Sequence, residues 1–191
     1  ALLIYNELLA KAHDLAISTP FSKAVYYSSF IDDNDIWEND VFQKFLQRED
    51  GVGNRMKNAF ADSFKNGFEK VVLTGSDIIG LTPNIIEKAF AELDKSDVVL
   101  GPAKDGGYYL IGMNKLHVGL FQDIEWSTEK VLSQTLKAVK HLKLSHSIMP
   151  ELSDLDRIED FQFLSNADRK KFEEIVGELD FVEVELGKAI N

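Results

Sequence analysis

Leu2, Leu3, Tyr5, Leu8, Leu9, Ala12 and Leu15 recur at helical spacing and predict an amphipathic helix over residues 2–17. Ala24-Val25-Tyr26-Tyr27-Ser28-Ser29-Phe30 is rich in aromatic and β-branched side chains and predicts a strand, with Asp32-Asp33-Asn34-Asp35 as an acidic turn after it. Residues 41–46 fit helix and strand equally. Gly51-Val52-Gly53 breaks the pattern, and residues 54–66 then read as a helix that Gly67 ends. Val71-Val72-Leu73 is a short, wholly apolar run, the mark of a buried parallel strand over residues 69–74. Thr82-Pro83 pairs an N-cap with a proline at the first helical position and opens a helix to about Asp94. Residues 97–100 and 108–112 are further strands, 128–140 a helix, and 142–148 a strand by alternation. Two more helices are expected over 156–164 and 168–176.

Strands alternating with helices predict an α/β fold with a mainly parallel sheet. A length of 191 residues suits one domain. The first helix has neither a strand nor a cap before it, so we expect sequence ahead of it to be missing. In open α/β sheets ligands bind at the carboxyl ends of the strands. The residues that follow each strand are therefore the place to look for chemistry.

Composition narrows the chemistry further. A net charge of −11 gives no electrostatic footprint for a nucleic-acid polymer or an anionic membrane. The absence of cysteine excludes a disulfide framework, thiol catalysis and thiolate-held metal. No apolar run approaches the roughly 20 residues that span a bilayer. The opening residues lack a basic n-region and meet Glu7 early, which argues against a secretory signal, so a cytoplasmic setting is expected. His13, His117, His141 and His146 show no i, i+4 pairing for zinc. Neither a Gly-x-Ser-x-Gly elbow nor a Walker A run occurs.

Five stretches carry candidate chemistry. Thr74-Gly75-Ser76-Asp77 ends a buried strand in small residues and a carboxylate; Asp77 either binds a divalent cation through oxygen or caps a turn. Gly101-Pro102-Ala103-Lys104-Asp105-Gly106-Gly107-Tyr108-Tyr109 crowds one connection with glycines. Asp-Gly-Gly is a plain hairpin signal, but the surplus glycines suggest a backbone that a ligand approaches closely. There Lys104 suits a phosphate, Asp105 a sugar hydroxyl or a metal, and a tyrosine could stack on a ring. Asp154 and Asp156 face one way if extended and invite a cation; alternatively Asp156 caps the next helix, with Glu159 closing a capping box. Gly51-Val52-Gly53-Asn54-Arg55 opens a helix and is a weak anion-site signal, Arg55 being equally suited to a surface ion pair. Trp126 lines a pocket or the core, and Ser127 or Thr128 reads as an N-cap.

Taken in order, these pieces resemble one bacterial transferase family. They are Gly51…Gly53-Asn54-Arg55-Met56, Thr74-Gly75-Ser76-Asp77, Gly101 to Gly112, Trp126-Ser127-Thr128 and Asp154-Leu155-Asp156…Glu159-Asp160. The family comprises arsenosugar-biosynthesis and radical-SAM-associated glycosyltransferases with a glycosyltransferase-A-like, nucleotide-diphospho-sugar transferase fold. The resemblance covers residues 1–161. It implies a three-layer α/β/α domain over residues 1–164 around a mainly parallel central sheet. Residues 165–191 lie outside the resemblance, and their apolar side chains are expected to pack on that domain or make a dimer contact. The resemblance also implies a nucleotide-activated donor bound with Mg²⁺ or Mn²⁺. Asp77 and Asp156 would hold the metal, and Asp105 or Asp154 would position or deprotonate the acceptor. Lys104, Gly106, Gly107, Tyr108, Arg55 and Trp126 would line the substrate. Two departures stand out. Ile79 occupies a position where the family carries proline. The family's opening strand and its Pro-x-x-Gly-x-x-Lys-Thr-Arg-Leu phosphate loop have no counterpart: either that segment is missing from this sequence, the reading we favour, or the protein lacks a normal donor site. A nucleotidyltransferase and a non-catalytic binding module on a degenerate transferase fold are the alternatives.

Overall fold

A computed structural model describes residues 2–76, 78–154 and 170; for Leu2 to Ile4, Ile79 and Asp154 it describes the backbone alone. In chain order the elements are α1 (Leu2–Ile17), β1 (Lys23–Tyr27), β2 (Phe42–Leu46), α2 (Val52–Lys65), β3 (Val71–Thr74) and β4 (Ile78–Ile79). There follow α3 (Pro83–Glu92), β5 (Val98–Pro102), β6 (Tyr108–Met113), a 3-10 turn (Val118–Phe121), α4 (Val131–His141), β7 (His146–Ile148) and β8 (Ser153–Asp154). The ambiguous stretch before α2 is a strand. The cap read at the start of α3 forms: the Thr82 hydroxyl accepts from the Ile85 N–H at 3.4 Å, with Pro83 behind it. The strand expected from residue 142 starts only at His146, because Leu142 caps α4 and Lys143 takes a left-handed φ of 55°. The helices expected beyond residue 155, and the boundary at 164, lie outside the described residues.

The main sheet has the order β3-β6-β5-β7. Here the structure corrects the mainly parallel sheet expected from the sequence. β6 is antiparallel to both β3 and β5, and only β5 and β7 pair in parallel. The cause is the connection Ala103–Gly107. It is too short for a crossover, so the Asp-Gly-Gly hairpin signal wins and β6 runs back. β1 and β2 form a separate parallel pair, and β4 and β8 a short antiparallel one. Among the described residues β1 pairs only with β2, and β3 only with β6, so each keeps one open edge.

Helices cover both faces of the main sheet. On one face Val98, Leu100, Ile111 and Met113 pack with Phe60 of α2, Leu120 and Phe121 of the 3-10 turn and Val139 of α4. On the other, Val99, Tyr109 and Leu110 pack with Ala89 of α3, with Leu93 at its C-cap and with Met149. Alternation along β5 sends Val98 and Leu100 to one layer and Val99 to the other. Each Val, Leu, Ile, Phe or Met side chain among them that leaves water contributes about 1.5–3 kcal/mol. No helix among the described residues is long and apolar enough to cross a membrane.

Two polar contacts close the periphery. Asp97 and Ser145, just ahead of β5 and β7, clamp those strands together. The Asp97 carboxylate accepts from the Ser145 N–H at 2.9 Å and the Ser145 hydroxyl at 2.7 Å, and these bonds hold its pKa below the ordinary value. On the α1 side, His13 Nε2 meets Glu38 at 2.9 Å, and its ring lies 5.7 Å from that of Trp37 and 5.6 Å from that of Phe42. The hydrogen bond to Glu38 is the largest influence on His13 and raises its pKa against the opposing effect of burial.

Each contact yields a prediction. A depressed aspartate stabilises the fold above its unfolded pKa of about 3.9, and that contribution disappears as the pH falls through the lower folded value. Asp97→Asn should therefore cost about 1 kcal/mol in urea unfolding at pH 7. The difference from wild type should close on acidification. A raised histidine works the other way. Its contribution is complete below about pH 6.5 and fades as the pH rises through the folded value. NMR titration should find the His13 imidazole above about 6.5, falling back in Glu38→Gln; an unchanged midpoint in that variant would refute the assignment.

Candidate functional site

Three connections converge at the carboxyl ends of β3, β5 and β7. The segment after β7 folds back along the end of β5: the Met149 N–H donates to the Leu100 carbonyl at 2.8 Å, and the Leu152 N–H to the Pro102 carbonyl at 3.0 Å. The Lys104 N–H returns a bond to the Leu152 carbonyl at 3.0 Å, and Ala103 bridges Leu152 in parallel. From the other side, Ile78 stands opposite Asp154 and Ile79 opposite Ser153. The Gly75 N–H donates to the Tyr109 carbonyl at 3.3 Å, tying the end of β3 to β6. Backbone pairing thus gathers the three strand-end motifs read from the sequence, Thr74-Gly75-Ser76, Lys104 to Tyr108, and Asp154, into one layer. Asp77, Asp156 and the Asp154 side chain lie outside the description. Among the described residues, no three histidine, aspartate or glutamate side chains are gathered as a metal site.

The glycine-rich connection is a tight, braced turn. Asp105 Oδ1 accepts from the Gly107 N–H at 2.8 Å, the Ala103 N–H bonds the Gly107 carbonyl at 3.1 Å, and the Gly106 N–H bonds the Ala103 carbonyl at 3.1 Å. Gly106 takes a φ of 90°, and a β-carbon there would overlap the Glu129 backbone. Its carbonyl accepts from the Leu132 N–H at 3.0 Å, fixing the turn to the start of α4. The neighbour that Gly106 admits so closely is protein, where the sequence suggested a ligand. Lys104 and Asp105 are exposed.

The remaining residues form a second wall. The Tyr108 ring packs into the core on the α2 and α4 side, edge-on to Trp126 at 6.5 Å and 88°. Burial pushes its pKa up, and its hydroxyl lies buried without a hydrogen-bond partner in good geometry. Trp126 is half-buried, stacks with Phe121 at 6.4 Å and covers Gly53, where a β-carbon would overlap the indole. Gly53 therefore lets α2 dock on the 122–130 loop. Arg55 is engaged locally, donating to Gln47 Oε1 at 3.2 Å and the Glu49 carbonyl at 3.3 Å.

The expected cap at Ser127 or Thr128 is corrected. Lys130 is the N-cap of α4, and the Thr128 hydroxyl donates to the Glu125 carbonyl at 2.7 Å while accepting from the Lys130 N–H at 3.3 Å. Sequence reasoning also missed Glu125, whose carboxylate meets Gln134 at 2.7 Å and Lys130 at 2.9 Å and braces the same loop. A Glu with Lys five residues on and Gln nine residues on was the signal available. A separate concavity lined by Asn84, Ile85, Glu87, Lys88, Ala91 and Pro150 lies along α3 and carries none of these motifs.

Comparison with known proteins agrees with this architecture. A crystal structure from Desulfovibrio desulfuricans G20, described as a "putative nucleotide-diphospho-sugar transferase", is similar with a TM-score of 0.73 and 27% sequence identity, over 81% of this chain and 69% of that one. No curated protein matches the chain. The α/β fold therefore resembles that of a nucleotide-diphospho-sugar transferase structure, with mixed sheets. Residues 12–128 match the family model described as "Uncharacterized protein conserved in bacteria (DUF2064)", and the chain belongs to that family.

Proposed function

We propose that the protein is a metal-dependent transferase acting on a nucleotide-activated sugar, of the kind its glycosyltransferase-like motifs resemble. The observation that carries this reading is the backbone pairing that draws three strand-end connections together, one leading to Asp77, one bearing Lys104 and Asp105, and one bearing Asp154. Ligands of open α/β sheets bind at that end. The similar solved structure supports the same class.

The candidate donor set consists of carboxylate oxygens, which suits Mg²⁺ or Mn²⁺, and the pairing of Ile78 with Asp154 brings the carboxylate-bearing segments side by side. Asp77 and Asp156 are the residues that would hold the ion. When bound, such an ion supplies charge to offset a departing diphosphate. Lys104 adds positive charge at the exposed tip of its turn, and Asp105 or Asp154 takes the proton of an acceptor hydroxyl. In this reading Gly106, Gly107, Tyr108, Trp126 and Arg55 would line the substrate. The donor is a small molecule; a chain of net charge −11 offers little to a nucleic-acid polymer. A cytoplasmic setting and an Mg²⁺ or Mn²⁺ requirement belong to the same proposal, as does a dimer contact through residues 165–191.

One observation favours a second reading. Asp105 braces its own turn and Gly106 is packed against Glu129, as in a non-catalytic module whose loop is purely structural. A thermal-shift panel separates the two. Nucleoside triphosphates and nucleoside-diphospho-sugars would each be tested with and without Mn²⁺. A ligand at 100 times its Kd adds about 2.7 kcal/mol, or roughly 5–10 °C in a domain of this size. We expect such a shift only with metal and one nucleotide together, lost in Asp77→Ala. No shift at millimolar ligand would leave the binding-module reading. Release of nucleoside diphosphate marks glycosyl transfer; release of pyrophosphate would mark nucleotidyl transfer instead.

A further inference from the structure

Through three different parts of the residue, Tyr109 touches two connections of the candidate site and the end of β5, the strand that leads into the third. Its carbonyl accepts the Gly75 N–H at 3.3 Å, just beyond β3. Its ring lies over Gly101 near the end of β5, where a β-carbon would stand 2.5 Å from it. Its hydroxyl donates to the Pro150 carbonyl at 2.9 Å, on the segment that leads to β8.

A β-bulge makes this possible. Gly101 pairs with Leu110 and Pro102 with Tyr108, so Tyr109 is the extra residue on its strand. Strict alternation would separate Tyr109 from Leu110, yet both face α3. The bulge thus aims the Tyr109 ring across Gly101 toward Pro150. The residue is 3% exposed. Burial pushes its pKa up to about 12, so the hydroxyl stays a donor at ordinary pH.

We propose that Tyr109 is the positioning residue of the site, setting the spacing between the connection leading to Asp77, the one bearing Lys104 and Asp105, and the one bearing Asp154. The proposal rests on the transferase reading above. Tyr109 acts through backbone and touches no reacting group.

The test is Tyr109→Phe, which keeps the ring over Gly101 and removes only the hydroxyl. Mn²⁺ binding is followed by its electron paramagnetic resonance signal, in the presence of whichever nucleoside-diphospho-sugar stabilises the wild type. Hydrogen exchange is measured on the same samples. We expect Mn²⁺ affinity to fall roughly tenfold. The amides of Lys104 and Leu152 should exchange faster, while those of Val98 to Leu100 stay protected. Replacing Tyr109 with p-aminophenylalanine, which restores a donor at the same place, should recover the affinity. Wild-type affinity in Tyr109→Phe overturns the proposal. So does a general loss of protection through β5 and β6, which would mark a merely structural role and which the p-aminophenylalanine variant checks independently. If the wild type itself binds no nucleotide with Mn²⁺, the transferase reading has failed and this proposal falls with it, before any variant is examined.

Discussion

β6 runs antiparallel between two strands that are parallel to each other, and the rest of the molecule depends on that wedge. The connection Ala103–Gly107 allows only a tight return, so β6 must come back beside β5. It then pairs on its other edge with β3 and is covered by helices on both faces. Leu110, Ile111 and Met113 are wholly buried in consequence. A strand so enclosed cannot slip by one residue, because a slip would exchange the side chains destined for α2 and α4 with those destined for α3. The registers of β3 and β5 are thereby fixed to each other. The heights at which those strands deliver their loops are fixed with them.

The sequence made this wedge partly readable. Helical spacing in α1, the Thr82-Pro83 start of α3 and the apolar run of β3 are local signals, and the elements form where those signals stand. The Asp-Gly-Gly turn was equally local, and it decided the direction of β6 against the general expectation of a parallel sheet. What could not be read was pairing between distant residues. β4 and β8 have two residues each and exist only because Ile78 and Ile79 meet Asp154 and Ser153, some 75 positions away. The bulge at Tyr109 likewise follows from a register shift opposite Gly101 and Pro102, which no periodicity within β6 announces.

The candidate site shows the same division. Lys104 to Tyr108 stood out by composition, and the structure brings that turn to the layer that also holds Gly75 and Asp154. The purpose of its glycines was not legible, because a glycine that admits a ligand and one that admits another loop look alike in sequence. Gly53 admits Trp126, Gly101 admits Tyr109 and Gly106 admits Glu129. All three are filled by residues far away in the chain or across a strand pair.

That packing bears on what the loop can do. Groups held on connections already locked to one another lose little further freedom when a ligand binds, so their interactions are not spent on ordering the protein. From Gly101 to Met113 every residue is buried or half-buried except Lys104 and Asp105. Asp105 gives one carboxylate oxygen to the Gly107 N–H of its own turn, so part of its role is to hold that rigid base, while both it and Lys104 reach solvent at the tip. On the transferase reading proposed above, such rigidity would hold Lys104 and Asp105 ready at the end of the sheet where α/β folds bind ligands.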